Sequence, residues 1–290
     1  MKKYFVVMVV ALFVLGLVGT AMAKELNWVG CGITKKAFMG AMAKAYEAKT
    51  GIKINLQGGG ATRGIRDVAA GKADIGGSCR HVVRDQAEQN ARLINVAWDA
   101  LVVIVNPSNP VSDISFDDLK AVLEGRVKRW KDLGGSDTPI TVVVRKGKQS
   151  GVGLMTRELL LKNPEQDYTS KAIALKSSGP VENFVEKESS AIAITGISSA
   201  KKRNVKMLAI NGKSPSQENI ASGAYILYRP LYLVTSRTPS QDVRDFIRFV
   251  QSDEGQQIIA GEGTVNLKQG ATLWKPYRDD MRKLRVELER

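Results

Sequence analysis

Three short stretches carry residue types that together could grip a small anion. They are Gly30-Cys31-Gly32-Ile33-Thr34, Gly58-Gly59-Gly60-Ala61-Thr62 and Arg145-Lys146-Gly147-Lys148-Gln149-Ser150-Gly151-Val152-Gly153. Each pairs glycines, which bare the backbone, with a small hydroxyl. The first N–H groups of a helix have no acceptor in their own chain, and the helix dipole favours negative charge there. A glycine run before a helix therefore leaves amides pointing into open space. Arg145 adds a planar, bidentate fork suited to a tetrahedral oxyanion. A fourth stretch, Gly76-Gly77-Ser78-Cys79-Arg80, delivers a hydroxyl, a thiol and a guanidinium to a strand tip, where open α/β sheets hold ligands. One such loop more often just joins a strand to a helix; three in one chain shift the reading toward anion binding. Five or six donors at about 1.5–3 kcal/mol each reach the roughly 8 kcal/mol of micromolar affinity after ordering costs.

The elements that must position these loops can be read from pattern. Leu26–Gly30, Ile52–Leu56 and Ala73–Gly76 read as strands. Phe38, Met39, Met42, Ala45 and Tyr46 fall at helical spacing, as do Ile65, Val68 and Ala69. This strand, loop, helix alternation predicts a parallel sheet with crossover helices. Val82–Ala91 reads as a polar helix, and Ile94–Ala97 and Leu101–Val105 as two strands before the break Asn106-Pro107-Ser108-Asn109-Pro110. Phe116–Leu123 is a helix capped by Ser115, and Ile140–Val144 is a buried strand with Arg145 at its tip. Tyr225–Val234 reads as a strand interrupted by Pro230, Val243–Val250 as an amphipathic helix, and Tyr277–Arg290 as a solvated helix.

The ends and composition narrow the class. Lys2-Lys3, the apolar run Tyr4–Val18 and Ala21-Met22-Ala23 form a cleavable secretory signal over residues 1–23, leaving Lys24 as the new N-terminus. The expected location is the periplasm. The formal charge of +14 favours acidic partners, and no zinc, helix-turn-helix or RNP-type signature points to nucleic acid. A single histidine, His81, and two cysteines, Cys31 and Cys79, offer no metal cluster, no haem attachment and no evident nucleophile–base pair. No catalytic residue, metal or cofactor is expected.

These motifs resemble those of phosphate-type periplasmic solute-binding proteins of ABC transporters. The family's G-S-G-A-T corresponds to Gly30–Thr34, and its DIG-S segment to Asp74–Arg80. Its W-x-D-L-G-G segment falls within Gly125–Gly135, its VVxR…SG within Val143–Gly151, and its ENIxSGxYxLxRPLYL at Glu218–Leu233. The resemblance spans most of the mature chain. It implies an α/β, two-lobed periplasmic-binding-protein fold of type II. Each lobe would be a mixed, mostly parallel sheet flanked by helices, with two hinge crossings. The expected lobes are residues 24–105 with 227–290, and 106–226. The implied ligands are Thr34, Gly60, Ala61, Thr62, Ser78, Cys79, Arg145, Ser150 and Gly151. Gly32, Ile33, Arg80 and Val152 complete the candidate set. Departures are Ala61 for a serine, Cys79 for a common aspartate, Val152 for a threonine, and one extra residue before Ser150.

The implied function is capture of a tetrahedral oxyanion between the lobes and delivery to a membrane permease by a monomer. Phosphate is the leading ligand, with sulfate, arsenate or molybdate as alternatives. A sensor module feeding a signalling partner and an exported phosphate-ester hydrolase are the rival readings. The same fold would bring the Cys31 and Cys79 loops together, either as one disulfide at the cleft edge or as two buried thiols.

Overall fold

The computed structural model describes residues 24–286 and 288; the secretory signal read in residues 1–23 lies outside them. The first half of the chain lays down β1 (Glu25–Gly30), β2 (Lys53–Gly58), β3 (Ile75–Ser78), β4 (Ala91–Val105), β5 (Asp113–Ile114) and β6 (Thr141–Arg145). The second half adds β7 (Ile173–Leu175), β8 (Ala191–Gly196), β9 (Lys206–Met207), β10 (Ala209–Ile210), β11 (Tyr228–Ser236) and β12 (Val265–Asn266). Among the described residues, one mixed sheet takes the order β2-β1-β3-β11-β4-β8-β6-β7, with β9 and β12 also paired to β4. β1 pairs in parallel with β2 and β3, and β6 with β7 and β8, whereas β4 and β11 run antiparallel to their neighbours.

Helices cover the sheet. α1, residues 32–50, runs from an α turn at Gly32–Thr34 through a π turn at Lys35–Met39 into Gly40–Thr50. α2 is Ala61–Ala69 and α3 is Phe116–Glu124, the latter started by Ser115 Oγ accepting from Asp118 N at 3.0 Å. α4, residues 151–161, joins Gly151–Thr156 to a π turn at Arg157–Leu161. α5 is Ser178–Lys187, α6 Ile197–Ala200, α7 Gln217–Ala221, α8 Gln241–Gln251, α9 Asp253–Gly261 and α10 Trp274–Lys283. None is long and apolar enough to cross a membrane.

β4 departs most from expectation. Two strands were expected; one of 15 residues forms. Residues 91–100 pair with β11, and 101–105 pair with β8. Leu101 to Val105 are all fully buried, which is why this part reads as a continuous apolar run rather than an alternation. Pro230 sits inside β11, but β3 pairs only with Tyr232–Val234, so the missing N–H breaks no bond to that neighbour. The expected helix at Val82–Ala91 is instead loop with one 3₁₀ turn at Gln86–Glu88. Its polar side chains are engaged elsewhere: Asp85 holds Arg66 at 2.6 Å and Glu88 holds Arg80.

The C-terminal part returns to the first half. Phe246 and Phe249 of α8 pack on Tyr46 of α1 at ring-centroid distances of 5.0 and 5.3 Å, each burial contributing about 1.5–3 kcal/mol. Among the described residues, α10 departs from the solvated helix expected over Tyr277–Arg290. It ends at Lys283 and buries Tyr277 and Met281, with Trp98 against both Trp274 and Tyr277.

Candidate functional site

β1, β2 and β3 end in register, Gly30 opposite Gly58 on one side and Gly77 on the other. Their following loops therefore leave from one edge. The glycine run after β2 does not leave all its amides open, as its sequence implied. Gly59 N and Gly60 N both donate to Gly30 O, at 3.0 and 3.2 Å. These bonds fold the loop back, and Gly60 takes φ +89° to start α2, a conformation only glycine adopts without strain. The unpaired amides begin one residue later, because the first intrahelical return is Gly64 N to Gly60 O at 3.0 Å.

Four helix starts face one cleft of about 430 Å³. Gly32 and Ile33 open α1, Ala61 opens α2, Gly151 and Val152 open α4, and Ser178 and Gly179 open α5; all seven line the cleft. Helix starts of this kind supply N–H groups with no acceptor in their own helix. Arg145, Lys36 and Lys176 add positive charge to the wall. Arg145 is half-buried, and its Nη1 donates to Leu175 O at 3.0 Å, which fixes the guanidinium. Its remaining donors are available to a guest. Burial draws its pKa below the usual arginine value, against the pull of the nearby sulfurs of Cys79 and Cys31.

The candidate side chains divide sharply. Gly32, Ile33, Gly60, Ala61, Cys79, Arg145, Gly151 and Val152 meet at this cleft. Thr62 and Ser150 line an adjoining space of about 270 Å³ that shares Gly60, Ala61, Arg145 and Gly151. Their hydroxyls are engaged within the protein: Thr62 Oγ1 donates to Gln149 O at 2.9 Å, and Ser150 Oγ donates to Gly147 O at 3.0 Å. Thr34 is fully buried with Oγ1 at 2.9 Å from Cys31 Sγ. Ser78 is not brought to the cleft; its buried hydroxyl donates to Arg80 O at 2.7 Å and accepts from Arg80 N at 3.1 Å.

Arg80 is also not brought to the cleft. All five of its N–H donors have partners. Nε donates to Gln149 O at 2.9 Å, and Nη1 to His81 O and Glu88 Oε2 at 2.6 and 2.9 Å. Nη2 donates to Thr62 Oγ1 and Glu88 Oε1 at 3.1 and 2.6 Å. Both Arg80 and Glu88 side chains are fully buried. Arg80 therefore acts as a cross-brace rather than a ligand.

His81 has a carboxylate partner, which sequence reasoning did not find. Its Nε2 lies 2.9 Å from Glu158 Oε1, and its Nδ1 lies 2.8 Å from Val82 O. This pair lines a different cavity, of about 1010 Å³, with Glu88 and Leu154. It is absent from the wall of the cleft of about 430 Å³, and no group of three or more metal-ligating side chains occurs among the described residues.

Cys31 and Cys79 are neighbours whose side chains interact, and both are free thiols. Of the two arrangements expected, the structure has buried thiols rather than the disulfide. Cys31 also starts α1, its Sγ accepting from Thr34 N at 3.3 Å. A hydrogen bond from Cys31 and the positive field of Arg229 and Arg80 draw the Cys79 thiol down to about 7, despite its burial and Asp99. Burial, together with Cys79, pushes Cys31 well above the usual thiol value.

Four parts of the site were missed from sequence. The first is the α5 start, where Lys176-Ser177-Ser178-Gly179 follows β7; this serine-glycine run after a strand was the available signal. The second is Lys36, whose Nζ donates to Ser199 Oγ at 2.7 Å. The third is Gln149, the extra residue of its loop. Its backbone oxygen takes Arg80 and Thr62, and its side chain takes Arg66 Nη2 at 2.9 Å. The fourth lies behind the cleft wall rather than in it: Arg229, fully buried, with Nη2 on Asp99 Oδ2 at 3.1 Å and with Nε and Nη1 lacking partners.

The chain matches known proteins along most of its length. The model of a family described as a PBP superfamily domain matches residues 30–254. The phosphate-binding protein PstS of Borreliella burgdorferi is 26% identical over 249 residues, covering 83% of this chain and 89% of that protein. A Clostridium perfringens substrate-binding protein solved with phosphate bound superposes with a TM-score of 0.77. It is 25% identical, with 84% of this chain and 99% of that one covered. An ABC-type phosphate transport receptor from Vibrio cholerae gives a TM-score of 0.66 at 26% identity, with 84% and 100% covered.

Proposed function

The chain belongs to the PBP superfamily, and from that premise we infer that it is the phosphate-binding solute receptor of an ABC transporter. Inorganic phosphate is held in the cleft of about 430 Å³ by amides of four helix starts and by the guanidinium of Arg145. The observation that carries this reading is the state of Arg145: fixed by one carbonyl bond, facing the cleft, with donors to spare. A tetrahedral oxyanion offers several acceptor oxygens, and hydrogen bonds to a charged group contribute about 1.5–3 kcal/mol each. The ligand residues are Gly32, Ile33, Ala61, Arg145, Gly151 and Val152, joined by Ser178 and Gly179.

The protein acts as a monomer in the periplasm, after removal of residues 1–23. Its lobes, residues 24–105 with 227–290 and residues 106–226, close on the anion and present a joint surface to a membrane permease. It binds without making or breaking a bond. The His81–Glu158 pair belongs to another cavity, which counts against a hydrolytic role for that histidine.

Calorimetric titration of the mature chain tests the function. Phosphate is expected to bind at about micromolar affinity or tighter, near −8 kcal/mol or beyond. Flat traces with phosphate, sulfate, arsenate and molybdate alike would overturn the reading.

A further inference from the structure

The anion cleft contains a pair of sulfurs that plain anion binding does not use. Cys31 and Cys79 both line it, one after β1 and one after β3, on loops joined by Cys31 N donating to Gly77 O at 2.9 Å. Cys79 also touches the opposite wall: a Cβ placed on Gly151 would lie 2.5 Å from Cys79 Sγ. The sulfur thus sits directly under the start of α4, where the anion is read to bind. Around it are Arg145 of β6 and Arg229 of β11, the latter fully buried with two nitrogens unpartnered, as well as Arg80, with Asp99 of β4 as the opposing charge.

We propose that Cys31 and Cys79 are a redox modification site inside the anion cleft, and that their reversible disulfide raises the cleft's affinity for phosphate. The inference rests on the reading of the cleft as the phosphate site. Cys79 is the attacking sulfur, because thiolates are stabilised beside guanidinium groups. The oxidant is an organic disulfide, R–S–S–R. The Cys79 thiolate attacks one of its sulfurs, forming Cys79–S–S–R and releasing R–S⁻. The Cys31 thiol then gives its proton to a released thiolate, and its sulfur displaces the second R–S⁻. Two protein thiols lose two electrons, and one organic disulfide becomes two thiols. Both cysteines are buried, 4% and 1% exposed, so the reaction needs the cleft open, and a bound anion slows it by blocking access while favouring the disulfide at equilibrium.

The sign of the effect on binding follows from charge. In the reduced cleft the Cys79 sulfur lies under the α4 start and shares the cleft wall with Arg145, so any negative charge on it competes with the guest for that guanidinium, and like charges at such range repel. Disulfide formation removes that charge. It also takes Cys31 Sγ from Thr34 Oγ1.

The test uses the mature chain in reduced form and after treatment with oxidised glutathione. Thiols are counted with a chromogenic disulfide reagent under unfolding conditions, and phosphate affinity is measured calorimetrically at pH 8. Oxidation is expected to abolish both titratable thiols without adding glutathione mass. Saturating phosphate should slow this by about tenfold or more, and the oxidised form should bind phosphate about tenfold more tightly. In Cys31→Ser the reaction should stop at the mixed disulfide on Cys79. Two thiols persisting after oxidation, a bis-glutathione adduct, or equal or weaker phosphate affinity in the oxidised form would overturn the proposal. Absence of phosphate binding in both forms would instead remove the phosphate reading, and the thiol count would still report whether the disulfide forms.

Discussion

Arg80 and Arg145 are equivalent candidates in the sequence: each stands at or just beyond the tip of a buried strand, beside a glycine-rich loop. In the fold they are opposites. Arg80 has every donor engaged, two of them by a buried carboxylate. Arg145 has one bond to a carbonyl and otherwise faces the cleft. The difference teaches that a cation's role is decided by how many of its donors the protein already occupies. Positive charge alone does not distinguish a ligand from a brace.

Three substitutions would break or sharpen that contrast. The largest effect belongs to Arg80→Ala, which removes the fully buried partner of Glu88 and leaves its carboxylate only Val83 N at 3.1 Å and the more distant Arg66 Nε at 3.4 Å. Folding stability should fall by about 3–5 kcal/mol, read from denaturant unfolding. A loss below about 1 kcal/mol would mean that Arg80 is not a brace. Next is Arg145→Ala, where folding should change little and phosphate affinity should fall by about 2–4 kcal/mol, roughly thirtyfold to a thousandfold. An unchanged calorimetric Kd would remove Arg145 from the site. The smallest effect is Ser78→Ala, in which the hydroxyl bonds to the Arg80 backbone disappear. Stability should drop by about 1 kcal/mol with the phosphate Kd unmoved; weakened binding would return Ser78 to the ligand set.

The parts legible in the sequence were local. The turns at Gly30–Thr34, Gly58–Thr62 and Arg145–Gly151 declare themselves through a few adjacent residues, and they do fall where strands β1, β2 and β6 hand over to helices. The engagement of side chains was not legible, because it depends on distant partners. Arg80 is met by Gln149, 69 positions away, and His81 by Glu158, 77 away. Val82–Ala91 read as a polar helix. In fact Asp85 and Glu88 are drawn in by Arg66 and Arg80, and that long-range demand overrides local propensity. The missed α5 start carried a local signal, Ser177-Ser178-Gly179, but no cation as prominent as Arg145 to mark it.

β4 is a single strand whose first ten residues serve one half of the sheet and whose last five serve the other. Halves joined in this way do not hang from slack tethers. Parting them would twist and bend an element whose backbone is bonded along both stretches. Asp99–Leu101, where β4 changes partners, is the place at which such a bend would strain bonded backbone rather than a loose loop.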